Sequence, residues 1–245
     1  MKLAYLILLG IIALFSCRNE VPQNAQNVES TQNNVLTSEE KKEGWELLFD
    51  GQTTNGWRFF KGEEIAGWEV VDGILCNSGV GSDHGGDIIT KEKFKDFELS
   101  LEWKVDSLGN SGVFYHVEEL DSIQAIYESG PEYQLTDDTN DPDPNTLSTQ
   151  YTGANYAMNR PIGAETKPLS QWNKTRIIVK GPHVEHWLNG VKVVEYELWS
   201  EDWSRRKNLS KWKDYPYYGV AKEGYIGLQD HGGLTCFKNI KIRRL

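Results

Sequence analysis

Short runs of alternating apolar and polar residues, each closed by a turn-forming cluster, recur along most of this 245-residue chain. This period of two constrains the fold more than any other feature. It sends successive side chains to opposite faces of a pleated strand and leaves no continuous apolar stripe for a helix. The clearest runs are "GWEVVDGILCN" (67–77), "DFELSLEWKV" (96–105), "SGVFYHVE" (111–118) and "EYQLTD" (132–137). Further along come "KTRIIVKG" (174–181), "VEHWLNGVKVVEYE" (184–197), "GYIGLQD" (224–230) and "CFKNIKIRRL" (236–245). Asp72-Gly73 and Asn189-Gly190 split two of these into hairpins, since both positions of such a dipeptide tolerate positive φ. Only "SEDWSRRKNLSKWK" (200–213) has helical spacing, with Trp203, Leu209 and Trp212 as its apolar positions. The pattern predicts an all-β jelly-roll sandwich of two antiparallel sheets, with one short helical insertion near 200–213.

The first residues follow a different rule. Met1 and Lys2 precede the apolar run "LAYLILLGIIALF", which ends at Ser16-Cys17. A charged start, a short apolar stretch and a small residue before the cysteine make the pattern of a cleaved export signal. The run is too short for a convincing membrane span. "LFSC" (14–17) resembles the lipobox of bacterial lipoproteins, whose cysteine is acylated and becomes the first mature residue. Residues 1–16 are therefore expected to be a signal peptide and Cys17 the lipidated residue. The product is expected to be exported and lipid-anchored to a bacterial membrane, periplasmic or at the cell surface. Arg18, rather than Asp, after the cysteine favours the outer membrane. Residues 18–43 are rich in Asn, Gln, Ser and Glu and lack aromatics, so 17–43 reads as a flexible tether. The folded domain is expected over 44–245.

Thirty-six acidic residues against 26 basic ones give a formal net charge of −10. Basic clusters such as "SRRKNLSKWK" (204–213) sit among acids and aromatics, so an exported, acidic chain is not expected to bind nucleic acid. With Cys17 lipidated, Cys76 and Cys236 remain, either as a disulfide or as two buried thiols. Their spacing does not resemble a zinc site.

Alternation also sorts candidate functional groups. Glu132, Gln134 and Thr136 share one face, opposed by Tyr133 and Leu135. Gly112, Phe114 and His116 fall together on the preceding strand, as do Tyr225, Gly227, Gln229 and His231 on a later one. On one concave sheet, such rows would form a cleft with two imidazoles and a carboxylate; on separate strands they are ordinary solvent faces. The tetrapeptide Asp-His-Gly-Gly occurs twice, at 83–86 and 230–233. The first reads mainly as a glycine turn, with His84 at most on a cleft rim, and the second ends the strand carrying Gln229. Trp57, Trp103, Trp187, Trp199, Trp203 and Trp212 could stack on sugars, though most tryptophans in such a domain belong to its core. "DDTNDPDPN" (137–145) lacks the glycine and final glutamate of a calcium-binding loop. No nucleophile elbow, phosphate loop or His-Glu-x-x-His motif is present.

The series "WELLFDG…GW" (45–57), "GWEVVDGIL" (67–75), "GGDIITKEKFKDFELSLEWKV" (85–105), "GNSGVFYHVEE" (109–119), "YESGPEYQLTDD" (127–138), "WNKTRIIVKGPHVEHWLNGVKVVEYEL" (172–198) and "GYIGLQDHG" to "FKNIKIRRL" (224–245) resembles the 3-keto-disaccharide hydrolase family. The resemblance covers essentially all of 44–245. It implies a concanavalin A-like jelly roll acting on glycosides already oxidised to a ketone at sugar carbon 3. The ketone acidifies the C2 proton, a base removes it, the enolate expels the C1 substituent, and water adds to the enone. Such a site needs a base near the working pH, an acid for the leaving oxygen, and donors or a divalent metal ion for the enolate oxygen. Carried over by residue, the resemblance implies Glu132 and Gln134 first, then Glu128, Asn110, His116 and His231. Gln229 and Lys91 could supply further donors, with Tyr156 of "GANYAM" bordering the cleft. It leaves open which group is base and which acid. His116 stands where many family members have arginine, which leaves the substrate preference there open. A retaining glycosidase on this fold would carry two carboxylates along one strand, whereas here Gln134 occupies the central slot. The competing expectation is a non-catalytic, lectin-like carbohydrate-binding protein on the same fold.

Overall fold

The computed structural model describes residues 32–77, 86–139 and 148–245. The expected signal peptide, Cys17 and His84 lie outside the described residues, as does most of the acidic loop after Asp137.

A short helix α1 (Ser38–Lys42) is followed by the strands β1 (Glu46–Leu47), β2 (Trp57–Phe59), β3 (Trp68–Val71), β4 (Ile74–Asn77), β5 (Ile88–Phe94), β6 (Phe97–Val105), β7 (Asn110–Val117) and β8 (Glu132–Thr136). After them come β9 (Asn173–Lys180), β10 (His183–Leu188), β11 (Val191–Glu197), helix α2 (Glu201–Leu209), β12 (Gly224–Leu228) and β13 (Thr235–Arg244). Every strand pairing is antiparallel. One sheet runs β11-β10-β9-β6-β13-β4-β3, with β1 added against β13, and the other runs β2-β5-β12-β7-β8. The protein is a two-sheet jelly-roll sandwich. Asn189 and Gly190, like Asp72 and Gly73, have positive φ, so the two expected hairpins turn where their dipeptides stand.

Side-chain alternation builds the core between the sheets. Phe97, Leu99, Leu101 and Trp103 of β6 and Phe237 and Ile242 of β13 face Val113 and Tyr115 of β7, Tyr133 and Leu135 of β8, and Ile226 and Leu228 of β12. All are essentially inaccessible to solvent. The opposite face of the five-stranded sheet, carrying Gly112, Glu132 and Gln134, is thereby turned away from the core. The insertion at 200–213 folds as α2 followed by a 3₁₀ turn, Lys211–Asp214. Trp203 and Trp212 are buried as the spacing predicts, but Leu209 is 78% exposed, because the α-helix ends there and its register is lost.

The N-terminal boundary differs from expectation. Residues 32–43, assigned by composition to the tether, carry α1 and dock on the domain. The Asn34 Nδ2 donates to the Gly73 carbonyl (2.7 Å), and its Oδ1 accepts from the Asn239 backbone (2.8 Å). Thr37 and Glu40 cap α1 reciprocally, and Lys241 pairs with Glu40. Polar side chains make this docking, so a reading based on missing apolar residues could not detect it.

Cys76 on β4 and Cys236 on β13 stand opposite each other and form a disulfide, which decides between the two states the sequence allowed. The bridge spans 160 residues of sequence. Replacing both cysteines by alanine should lower unfolding stability by roughly 3–5 kcal/mol, since the bond restricts a long loop of the unfolded chain. Urea unfolding of oxidised wild type and the double variant checks this.

Candidate functional site

Registered pairing brings the polar row together. Phe114 lies opposite Glu132, Gly112 opposite Gln134, and Asn110 opposite Thr136. With Gln229 and His231, which follow β12, the side chains of Asn110, Glu132 and Gln134 line a cavity of about 170 Å³. Its other wall comes from segments laid over the sheet: Tyr127, Tyr156, Lys211, Trp212 and Tyr215. The volume is below the roughly 300–1,000 Å³ of clefts for drug-sized ligands and suits a small polar ring.

Glu132 is the carboxylate of this cavity among the described residues, and it is 5% exposed. Burial pushes its carboxyl up to about 8; the Lys211 charge opposes that rise and Asp87 adds to it. Gly112, diagonal to Glu132 on β7, has to be glycine, because a Cβ there would stand 2.3 Å from the Glu132 Oε1. The strand pair thus leaves a carboxyl-sized slot beside β7.

A directed chain of hydrogen bonds runs next to it. The Gln134 Nε2 donates to the Asn110 Oδ1 (3.0 Å), and the Asn110 Nδ2 lies 2.9 Å from the His231 Nδ1. With Asn110 donating, Nδ1 of the neutral imidazole accepts and its proton sits on Nε2. The neighbouring Asp230 is buried and accepts from the Asn77 Nδ2 (2.9 Å). Its backbone amide donates to the Asp87 Oδ1 (3.1 Å), and burial beside Asp230 pushes Asp87 up to about 7. Asp87 borders a second hollow, of about 440 Å³, with Phe59, Phe60 and Gln124.

The overlying wall is held by stacked aromatics. Tyr196, Trp203, Tyr218 and Trp212 form a ladder with successive ring separations of 5.4, 5.8 and 4.3 Å. The Trp212 Nε1 donates to the Tyr156 carbonyl (2.9 Å), and the Gln150 Nε2 donates to the Tyr156 hydroxyl (2.9 Å). These contacts fix the segment that carries Lys211 over the cavity.

Six of the expected residues thus meet: Glu132, Gln134, Asn110, Gln229, His231 and Tyr156. Three do not. His116 is buried, donates from Nε2 to the Lys95 carbonyl (2.8 Å) and packs against Phe97 and Tyr115. A bulge causes this: two steps on β12, Tyr225 to Gly227, match three on β7, Val117 to Phe114, and His116 has φ of 53°. The extra residue breaks alternation and turns the imidazole away from the cavity; burial lowers its pKa. Glu128 sits in the 3₁₀ turn Ile126–Glu128, where its Oε1 accepts from the Gln124 backbone (3.2 Å). Lys91 is exposed on β5 and borders a different hollow, beside Leu47, Leu48 and Asn55. Of the two Asp-His-Gly-Gly stretches, the second reaches the cavity through His231, and all of the first but Gly86 lies outside the described residues.

Sequence reasoning missed Lys211, Tyr127 and Tyr215. Their segments have no strand alternation, and Lys211 follows Glu132 by 79 residues, so only tertiary packing joins them. For a metal ion, the described residues offer one cluster of three ligands, His183, Glu185 and Glu195. It lies on the β10–β11 edge, where Lys192 already pairs with both glutamates. The described residues of the cavity form no such cluster.

Residues 44–243 match the model of a family described as the 3-keto-alpha-glucoside-1,2-lyase-like domain. The chain is 33% identical to a 3-keto-disaccharide hydrolase of Bacteroides thetaiotaomicron, over 95% of this chain and 94% of that protein. A crystal structure of a candidate glycosyl hydrolase from Parabacteroides distasonis superposes with a TM-score of 0.82 at 41% identity, covering 87% of this chain and all of the other. A second one from the same organism gives a TM-score of 0.64 at 28% identity, covering 82% of this chain and 99% of that one.

Proposed function

The chain belongs to the 3-keto-alpha-glucoside-1,2-lyase-like family, a glycosyl-hydrolase-like family, and from that premise we propose that it hydrolyses 3-keto-glycosides by proton transfer at C2. One observation carries the reading: a single carboxyl among the described cavity residues, Glu132, which burial raises to about 8 against the opposing charge of Lys211. Direct glycoside hydrolysis uses two flanking carboxyl groups. Elimination next to a ketone instead needs one group able to take and return a proton near the working pH.

In this reading the Glu132 carboxylate takes the C2 proton, and the C2–H electrons form the enolate. The enolate collapses, the C1–O1 bond breaks, and O1 leaves as an alcohol with the proton held by Glu132. The His231 Nε2–H, set by Asn110, hydrogen-bonds the departing oxygen. Glu132 then takes a proton from water as its oxygen adds to C1, and returns a proton to C2. Water is consumed, and the products are an alcohol or sugar and a 3-keto sugar. Gln134 and Gln229 orient the ring hydroxyls, and no metal ion is needed for proton balance. A lectin-like role fits less well, because a binding face presents aromatics to solvent, whereas Trp212 and the Glu132 carboxyl are buried.

The test is turnover of a purified 3-keto-disaccharide beside its unoxidised parent. Release of a 3-keto monosaccharide from the first alone supports the proposal; binding of both without turnover contradicts it. The pH profile adds a prediction. Glu132 must be ionised to begin, so kcat/KM should rise about tenfold per unit below pH 8 and level off above it. A rate independent of pH between 6 and 9 would exclude Glu132 as the base.

The proposal includes export and lipid anchoring at Cys17, supported by the leader and "LFSC". Radiolabelled palmitate should enter the wild type and not Cys17→Ala.

A further inference from the structure

We propose that Lys211 is a catalytic residue whose ammonium group hydrogen-bonds the ketone oxygen of the bound sugar and holds the charge that gathers there as the C2 proton leaves. The inference rests on the 3-keto reading of the cavity and adds the group that the reading lacks. A proton next to a ketone is far less acidic than a carboxyl group, so even a strengthened carboxylate cannot remove it unless the enolate oxygen is stabilised. The sheet supplies Asn110, Gln134 and Gln229, which are neutral amides, and His231, whose neutral form carries no charge. An ammonium adds to its hydrogen bond with an oxyanion the attraction between two full charges, which a neutral amide cannot supply.

The placement of Lys211 is built into the fold. Ser210 caps the 3₁₀ turn by accepting from the Trp212 backbone (3.1 Å), and the fully buried Trp212 ring is fixed on Tyr218. Between these anchors the Lys211 Nζ lies 4.5 Å from the ring centroids of both Tyr156 and Trp212. The two aromatic faces favour the cation at this place. Lys211 and Glu132 line the same 170 Å³ space from opposite walls, one from the overlying turn and one from β8. A ring seated there would cover the ammonium and strengthen its field by excluding water. In the step itself, the C2–H bond breaks, its electrons become the C2–C3 π bond, and the ketone electrons move to O3 against Lys211. The proton goes to Glu132, and the ammonium keeps all of its own protons.

The test separates proton removal from bond cleavage. A 3-keto sugar lacking a C1 substituent has no leaving group, so exchange of its C2 proton in D2O reads the first step alone. Wild type, Lys211→Met and Lys211→Arg are compared in that exchange and in steady-state turnover of a 3-keto-disaccharide. Lys211→Met should slow exchange and kcat by about 10²–10³-fold, as removal of an oxyanion donor does, with KM changed less than threefold. Lys211→Arg, which keeps the charge, should recover most of the loss. Exchange by Lys211→Met at the wild-type rate would overturn the proposal, as would a loss confined to KM. Borohydride trapping of the ketone on Lys211 would also overturn it, because the lysine would then act through a covalent iminium. Wild-type protein that neither exchanges nor cleaves would remove the underlying reading, an outcome distinct from failure of the lysine variants.

Discussion

Glu132→Gln is expected to lower kcat on a 3-keto-disaccharide by about 10²–10⁴-fold while making the folded protein more stable. Glutamine has the shape of the carboxyl and cannot exchange a proton, so the whole cycle at C2 stops. The stability gain follows from the cost of burying the native group. The carboxyl is raised from 4.5 to about 8 on folding, so the folded state binds its proton more tightly than the unfolded chain does. Below about pH 4.5 both states are protonated and the cost vanishes. It grows as pH rises through that range and is complete above about 8. The difference between variant and wild type should therefore widen from acid to mildly alkaline pH, reaching at most about 5 kcal/mol before the burial cost of the amide itself is subtracted, or several degrees in Tm. Paired thermal melts at pH 4 and pH 8 measure it. A variant that loses activity and also loses stability at pH 8 would mean that Glu132 is a structural group.

Gly112→Ala is expected to damage the same site from the other strand. The added methyl would meet the Glu132 Oε1 at 2.3 Å and the Phe114 ring at 2.8 Å. Phe114 is buried among Ile89, Val117 and Ile126, and Glu132 has little exposed space to move into. Relief has to come from shifting the carboxylate, and a displacement near 1 Å costs about 10²-fold in rate. Overpacking should add about 1–3 kcal/mol of destabilisation. Steady-state kinetics and urea unfolding of the variant check both figures. Unchanged kcat would show that the slot beside Gly112 does not position the reacting group.

Residue alternation carried much of this architecture. It placed Glu132 and Gln134 opposite Tyr133 and Leu135, and it turned the chain at Asp72-Gly73 and Asn189-Gly190. The same rule failed at His116, where one inserted residue in β7 reverses the side-chain direction beyond Tyr115. Nothing in "SGVFYHVE" marks that insertion, since the bulge exists only in register with β12. Lys91 failed for a related reason: its chemistry suited the site, but sheet order sets β5 beyond β12, toward the opposite edge from β8. Lys211 was illegible because helical spacing locates the apolar positions Trp203 and Trp212, not the sheet on which their ladder lands. The docking of 32–43 was hidden in the same way, because it depends on hydrogen bonds from Asn34 to residues 39 and 205 positions away.

Turnover of a 3-keto-disaccharide in D2O tests the assignment of C2 chemistry most directly. The proton removed from C2 departs with the leaving alcohol, and C2 is refilled from solvent. The released 3-keto sugar should therefore carry one deuterium at C2 from the earliest turnovers, well ahead of exchange in buffer alone, while the unoxidised parent stays intact. A released sugar that retains its original C2 hydrogen, or cleavage of the parent at a comparable rate, would contradict the account.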